Sequence, residues 1–340
     1  MLTSTHAIEP ALNADELEVS RIRALRGPNY WRLSPVIASD VRLGSLKSIS
    51  SVDIPGFADR LIALMPTLRE HPCSRGAEGG FVARLNEGTH LPHILEHVAL
   101  ELQSLAGCDV SFGRVVQSGD PGVWWVIVAY EEEEVGIASV QRAVDVVKAS
   151  MTGMRLDMQQ LVAEMRDLYE DTRLGPSTAA IVDEARRRHI PVRRLNSHSL
   201  VQLGLGRNLR RIQSTLTDHT SAIGMEIAQD KEYTKLALST VGLPVPRGEV
   251  ACTLEEAVHA ADEMGYPVLL KPVDSSQGRG ISGVLEDRSA IVHAWDEARR
   301  FSGRVIVERF HEGRDHRVLV VNGHAVTCAE RIPAHVTGDG

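Results

Sequence analysis

Two lysines and a glycine-rich loop carry the clearest chemistry in this chain. Residues 266–280 read Y-P-V-L-L-K-P-V-D-S-S-Q-G-R-G, an apolar strand that delivers Lys271 to a loop of small residues. Backbone amides in such a loop are not screened by bulky side chains. A cation beside a nest of amides suits the oxygens of a nucleotide polyphosphate. Lys231 opens D-K-E-Y-T-K upstream, and Glu308 closes the apolar run V-I-V-E downstream, followed by Glu312 and Asp315. Two lysines can hold the α- and β-phosphates. A carboxylate beside polar strand backbone can read an adenine amino group and a ribose hydroxyl. Alone, a lysine before such a loop is an ordinary strand end; it is the coincidence of these features that points to a nucleoside triphosphate.

A second constellation lies at His93-Ile94-Leu95-Glu96-His97. The H-x-x-E-H pattern is that of zinc-dependent hydrolases. On a helix His93 and His97 are four residues apart and share a face, so both imidazoles can reach one ion. Glu96 falls on the same side, where it could act as a general base, and Glu101 could supply a third ligand. Ile94, Leu95, Val98, Leu102 and Leu105 form an opposite, apolar face. The same residues also fit a plain amphipathic helix with a solvated polar stripe, because short motifs recur by chance. His71, Cys73 and Glu78 lie upstream, at spacings that match no metal motif.

These groups need elements to position them. A chain of 340 residues is long enough for two or more domains. Its 43% hydrophobic and 24% charged content is that of an ordinary soluble globular protein. A net charge of −8 argues against non-specific nucleic-acid binding. The four cysteines are scattered with no CxxC pair, which suits reduced thiols in the cytoplasm. The N-terminus lacks a signal-peptide pattern, and no apolar run approaches membrane-spanning length.

Residues 1–20 are polar and expected to fray. Residues 126–130 read as a buried strand, the acids Glu131 to Glu134 as its solvated end, and Trp124 and Trp125 as core. A helix is expected over 137–170. L-G-P-S-T at 174–178 breaks the pattern and suggests a domain boundary at about 165. Ser177 could cap a helix through Arg188. Then come a strand at 191–195 and helices at 231–241 and 254–264, ended by Gly242 and Gly265. Strands follow at 267–271, 305–309, 317–321 and 325–329, the last two joined by an Asn322-Gly323 turn.

The order Lys231, Lys271, glycine-rich loop, Glu308, Asp315 resembles the first half of an ATP-grasp domain, as in D-alanine–D-alanine ligases. More specifically, G-R-N-L-R-R-I-Q-S-T-L-T-D-H-T-S-A-I-G (206–224), D-K-E-Y-T-K, V-G-L-P-V-P-R-G (241–248) and A-E-R-I-P-A-H-V-T-G-D-G (329–340) look like cyanophycin synthetases. R-G-P-N-Y-W (26–31) and L-G-P-S-T fit the same family, so the resemblance spans nearly the whole chain.

The implied fold class is α/β (α+β): a mixed N-terminal domain over 1–165, then an incomplete ATP-grasp domain over 166–340. The implied activity is an ATP-dependent amide-bond ligase that adds aspartate through an acyl phosphate to the C-terminus of a poly-aspartate chain bearing arginine. Its partners would be polymer primer, L-aspartate and L-arginine, in a cytoplasmic homo-oligomer. By motif match, Lys231 and Lys271 would neutralise phosphate, and Ser275, Ser276 and Gly278 would close over it. Glu308 would meet adenine, Asp315 the ribose, Arg331 a substrate carboxylate or the acyl phosphate, and Ser177 the polymer, unless it is a plain helix cap.

The resemblance places the magnesium ligands beyond Gly340 and leads us to expect a portion of a larger enzyme. It also implies, for some relatives, a metallopeptidase-like centre in the N-terminal domain that trims polymer, here with zinc on His93, His97 and Glu101. A polymer-binding module and a dipeptide-type ATP-grasp ligase are the other readings; the N-terminal 160 residues argue against the last.

Overall fold

The computed structural model describes residues 13–275, 278–332 and 335–336. It separates into two units, one up to His219 and one from Thr220.

The first unit is built on a four-stranded antiparallel sheet. Its strands are β1 (Glu18–Leu25), β2 (Val36–Arg42), β3 (Gly113–Gln117) and β4 (Val123–Ala129), in the order β1-β2-β4-β3. Between β2 and β3 run α1 (Phe57–Leu64), α2 (Gly80–Glu87) and α3 (Leu91–Ala106); α4 (Glu133–Thr152) and α5 (Met158–Thr172) follow β4. Side chains alternate across a strand. Ile37, Val41, Val126 and Val128 therefore face one way, into the core with Ile94, Leu95, Val98 and Leu102 of α3. The other face carries Val36, Ala38 and Ile127 under Trp31 and Phe112. Trp124 is half-buried, but Trp125 stands at the surface, edge-on to Trp31. Core filling thus describes only the first of the pair.

The expected helix over 137–170 is two helices. Gly153 takes φ +74°, a left-handed value that ends α4. The Asp157 side chain then accepts from the Gln160 amide and starts α5. Residue 165, the expected boundary, lies inside α5, where Leu161 and Met165 are buried in the core of the first unit.

A smaller layer completes this unit: α6 (Pro176–Arg187) and an antiparallel meander of β5 (Val192–Arg194), β6 (Leu200–Leu203), β7 (Arg210–Gln213) and β8 (Leu216–Thr217), around Val182, Val201 and Ile212. Gly175 is the N-cap of α6 and Pro176 its first residue, so Ser177 is an exposed second residue and caps nothing. Proline fits the first helical position because its missing N–H would be unpaired there anyway.

The four-acid run is not a solvated strand end. Glu133 accepts from Arg26 at 2.5 and 2.7 Å, and Glu131 from the Asp109 amide at 3.0 Å. Buried Glu132 meets Arg194 of β5, whose guanidinium also donates to the Thr172, Ser197 and His198 carbonyls. Burial pushes the Glu132 carboxyl up to about 7, against the pull of Arg194.

The second unit comprises α7 (Ala222–Gln229), α8 (Lys231–Thr240), β9 (Gly248–Ala251), α9 (Leu254–Met264), β10 (Val268–Pro272), α10 (Arg288–Arg299), β11 (Val305–Arg309), β12 (His316–Val321) and β13 (His324–Glu330). β10, β11 and β9 form an antiparallel sheet in that order, and β12 and β13 a separate hairpin. Thr253 and Glu256 close a capping box at the start of α9, and Gly265 ends it. Ala257, Ala261, Ile291 and Trp295 of α9 and α10 cover Val268, Leu270, Val305 and Val307. The hairpin turns at Asn322 and Gly323, both at positive φ as a two-residue turn requires.

All strand pairs among the described residues are antiparallel, so the arrangement is α+β within the expected class. No helix among the described residues is long and apolar enough to cross a membrane.

Candidate functional site

In the second unit the sheet turns one face to its helices and the other to the lysines. Leu269 pairs with Glu308 and Lys271 with Ile306. With a period of two, Lys271 and Glu308 share the face opposite the core. Lys271 Nζ donates to Glu308 Oε1, and Lys235 Nζ donates to Oε2 at 2.9 Å. Burial alone would raise the Glu308 pKa; the hydrogen bonds from Lys271 and then Lys235 hold it below the usual carboxylate value.

Lys235 sits four residues after Lys231 on the same face of α8. Gly248, opposite Glu308, leaves it room: an added Cβ would lie 2.7 Å from Lys235 Nζ and 2.9 Å from the Val307 carbonyl oxygen. Lys231, the first residue of α8, donates its Nζ to the carbonyls of Pro272 (2.8 Å), Val273 (3.1 Å) and Ser275. Burial lowers its pKa.

The loop after β10 is stitched back to it: Ser282 N donates to the Leu270 carbonyl at 3.0 Å, and Leu270 N to Ser282 Oγ at 2.9 Å. Ser275 Oγ donates to the Arg279 carbonyl at 2.9 Å, and Gly278 takes φ +75°. Ser276 lies outside the described residues.

The structure thus gathers Lys231, Lys235, Lys271, Glu308 and the loop into one polar face. Asp315 and Arg331 are joined to each other, Arg331 Nη1 donating to Asp315 Oδ2 at 3.0 Å, at the base of the exposed β12–β13 hairpin. They are not hydrogen-bonded to the lysine cluster.

In the first unit, α3 presents its polar residues inward. Glu96, His97 and Glu101 are 6–7% exposed, so they are no solvated stripe. They line a cavity of about 800 Å³ with His93, His71 and Cys73. Thr89 Oγ1 is 2.8 Å from His93 Nδ1, and Cys73 Sγ is 3.3 Å from His93 Nε2. His71 bridges His97 and Glu101, its Nδ1 2.9 Å from His97 Nδ1 and its Nε2 2.6 Å from Glu101 Oε2. Phe81 lies under the rings, 4.3 Å between centroids from His97.

Burial, then Arg84, lowers the His93 pKa to about 4; burial, then His93 and His71, lowers that of His97 to about 3. Both imidazoles are therefore neutral, the form that ligates metals. Burial also pushes the Glu96 carboxyl up to about 7. Gly113 of β3 faces it, and a side chain there would run into the carboxylate.

His93, His97, Glu96 and Glu101 do converge, as their spacing suggests. However, Glu101 meets His71, while the donor atoms of Cys73, His93 and His97 are the ones that lie within 4.8 Å of one another. Neither His71 nor Cys73 has a periodic relation to the motif on α3; both arrive on the turn before α2. Ser177 is exposed on the surface of α6.

Residues 38–152 match the family described as the cyanophycin synthase-like N-terminal domain, and residues 230–330 match the ATP binding domain of the carbamoyl-phosphate synthase L chain. The chain is 44% identical over 330 residues to the cyanophycin synthetase of Trichormus variabilis and 43% identical over 332 residues to that of Geminocystis herdmanii, in both cases over 95% of its length. It spans 37% and 38% of those relatives. A D-alanine–D-alanine ligase of Ectopseudomonas mendocina is 33% identical over 100 residues, 29% of this chain and 32% of that one.

Proposed function

We propose that this chain supplies the N-terminal domain and the nucleotide-gripping lobe of an ATP-dependent amide ligase that extends cyanophycin. The observation that carries this reading is the cluster of Lys231, Lys235 and Lys271 around Glu308, beside a glycine-rich loop, inside the segment that matches an ATP binding domain. In the reaction, the polymer's terminal carboxylate attacks the γ-phosphorus of ATP and ADP leaves. The amine of aspartate then attacks the acyl carbon, inorganic phosphate departs, and the nitrogen loses a proton. The lysines' part is to hold the phosphates in place and offset their charge.

Lys271 and Lys231 take the phosphates, with Ser275 and Gly278 closing over them, Glu308 at the adenine edge and Asp315 at the ribose. Arg331 takes a carboxylate or the acyl phosphate. Magnesium accompanies ATP in such chemistry. Here Glu308, the buried carboxylate of this unit among the described residues, is engaged by two lysines. Its carboxylate is thus taken up by the lysines rather than open to a magnesium ion. Cytoplasmic location and homo-oligomeric assembly belong to the same proposal. The test is ATP-dependent primer extension: ADP release and primer lengthening with aspartate, abolished by Lys271→Ala. Extension that survives this change overturns the reading.

A second reading is favoured by the buried His/Cys/Glu cluster, namely that the N-terminal domain is a metal-dependent hydrolase trimming the same polymer. The donor set, two neutral imidazoles and a thiol, fits a zinc-class ion. Such an ion, when bound, polarises a peptide carbonyl and an attacking water. Glu96, poised near neutrality, takes the proton of that water and passes it to the leaving amine. Primer shortening without ATP, lost in Glu96→Gln, would support this; shortening that persists in the variant would end it.

A further inference from the structure

We propose that Arg304 is a positioning residue of the nucleotide site: it sets Lys231 against the phosphate loop by holding the start of α8 and the root of that loop at once. The inference rests on the first reading above, that the second unit grips ATP.

Arg304 stands just before β11 and reaches two segments that are distant in sequence. Its main chain holds the loop. The amide of Val273, the residue after β10, donates to the Arg304 carbonyl at 3.0 Å. Its side chain holds the helix. Nη2 donates to Asp230 Oδ2 at 2.9 Å, and Nη1 donates to Glu232 Oε2 at 3.0 Å. The Arg304 amide is itself anchored, donating to the Ser302 hydroxyl at 3.1 Å.

The two oxygens of Asp230 have separate tasks. Oδ1 caps α8, accepting from the Glu232 and Tyr233 amides at 2.8 and 3.1 Å, and Oδ2 meets Arg304. Lys231 lies between the two carboxylates that Arg304 holds, at the first position of α8. Its amide donates to the Val273 carbonyl at 3.4 Å, and its Nζ donates to the carbonyls of Pro272, Val273 and Ser275. Val273 is thus tied to Arg304 through its amide and to Lys231 through its carbonyl. Arg304, Val273, Lys231 and Asp230 close a ring. Such a ring fixes the ammonium relative to the loop before a polyanion arrives, and preorganisation of this kind raises affinity.

Arginine suits this place better than lysine. A guanidinium forks to two carboxylates, whereas an ammonium is a point charge on a flexible stem. With both terminal nitrogens on carboxylates, Arg304 acts through Lys231 rather than on the phosphates. Arg304 and Glu232 are close to half exposed, and exposed ion pairs add little to stability. Losing them should therefore be felt in the placement of Lys231 more than in the fold.

The test measures binding of ADP and of adenosine to the full chain and to four variants: Arg304→Ala, Arg304→Lys, Lys231→Ala and the Arg304→Ala/Lys231→Ala double variant. Arg304→Ala should weaken ADP about fivefold and adenosine less than about twofold, with little change in melting temperature. Arg304→Lys should recover part of that loss. Lys231→Ala should weaken ADP at least about tenfold, and the double variant should stay within about twofold of it, because a residue that acts through another is not additive with it. Full additivity in the double variant overturns the assignment. So does an Arg304→Ala protein that binds ADP like the wild type, or one that loses ADP and adenosine alike. Additivity beside a damaging Lys231→Ala leaves the nucleotide reading standing. A Lys231→Ala protein that binds ADP as the wild type does, or a wild type that binds none, removes the reading and the assignment together.

Discussion

Each unit buries a glutamate at the centre of its polar cluster, and the two glutamates behave oppositely. Glu308 is flanked by Lys271 and Lys235 and stays ionised, with its pKa below the usual value. Glu96 has neutral imidazoles around it and is pushed up to about 7 by burial. Burial disfavours charge in both places; what differs is whether a cation answers it. The second unit therefore holds fixed charges, suited to gripping a polyanion. The first holds neutral donors and a carboxyl near its titration point, suited to ligating an ion and moving a proton.

The sharpest way to break this contrast is to remove both carboxylates. Glu308→Ala would leave two lysines facing one another without their acceptor and should destabilise the second unit by about 3 kcal/mol, because breaking a buried pair costs more than the pair contributes. Hydrogen exchange in β10 and β11 would report it. Glu96→Gln removes a carboxyl with no cation to lose and should leave exchange in α3 unchanged or slower at pH 8. Equal losses in both units would erase the distinction.

Acid separates the units next. His93 and His97 have pKa values depressed from 6.5 to about 4 and about 3. Their contribution is therefore present above pH 6.5 and lost as pH falls towards 4 and 3. Glu96, raised from 4.5, works in reverse: its contribution is present below pH 4.5 and lost as pH rises through 7. The two histidines outweigh it, so the metal-free first unit should weaken between pH 6.5 and 4. Glu308 is depressed below 4.5, so the second unit should hold until pH drops below that value. Exchange corrected for intrinsic rates should show α3 opening before β10 and β11; the reverse order would contradict the assignment.

Glycines beside the carboxylates give a smaller, local probe. Gly248→Ala crowds Lys235 and the Val307 carbonyl. It should cost about 1–2 kcal/mol, within the range for overpacking, and weaken nucleotide binding. Gly113→Ala should displace Glu96 and suppress primer trimming with ATP binding intact. The smallest expected effect is Ser177→Ala, less than about 0.5 kcal/mol in thermal melting, since the exposed hydroxyl caps nothing. Asp230→Ala should cost about 1 kcal/mol, since its side chain accepts from the Glu232 and Tyr233 amides at the start of α8.

The second unit was the more legible from sequence because its signals are local. Thr253, Glu256 and Gly265 bound α9 at its observed ends, and a single strand pairing brings Lys271 to Glu308. Lys235 was within the quoted D-K-E-Y-T-K motif and a helical turn from Lys231, yet its pairing depends on how α8 sits over the sheet. In the first unit, α3 could be read from its periodicity, but half of its cluster could not. His71 and Cys73 come from a short turn whose position is set by tertiary packing under Phe81, and no spacing along the chain records that. The Gly153–Asp157 break rests on one glycine and one capping residue, set between apolar patterns that read as a single helix. The meander of β5 to β8 was missed in part because strands of two to four residues are too short to show alternation.

The most direct measurement is equilibrium binding of ATP to the full chain and to its Lys271→Ala and Cys73→Ser variants. The account predicts that wild type and Cys73→Ser bind alike and that Lys271→Ala binds at least about tenfold more weakly, since losing one charge-assisted contact to a phosphate removes about 1.5–3 kcal/mol. Equal ATP affinity in wild type and Lys271→Ala would contradict it.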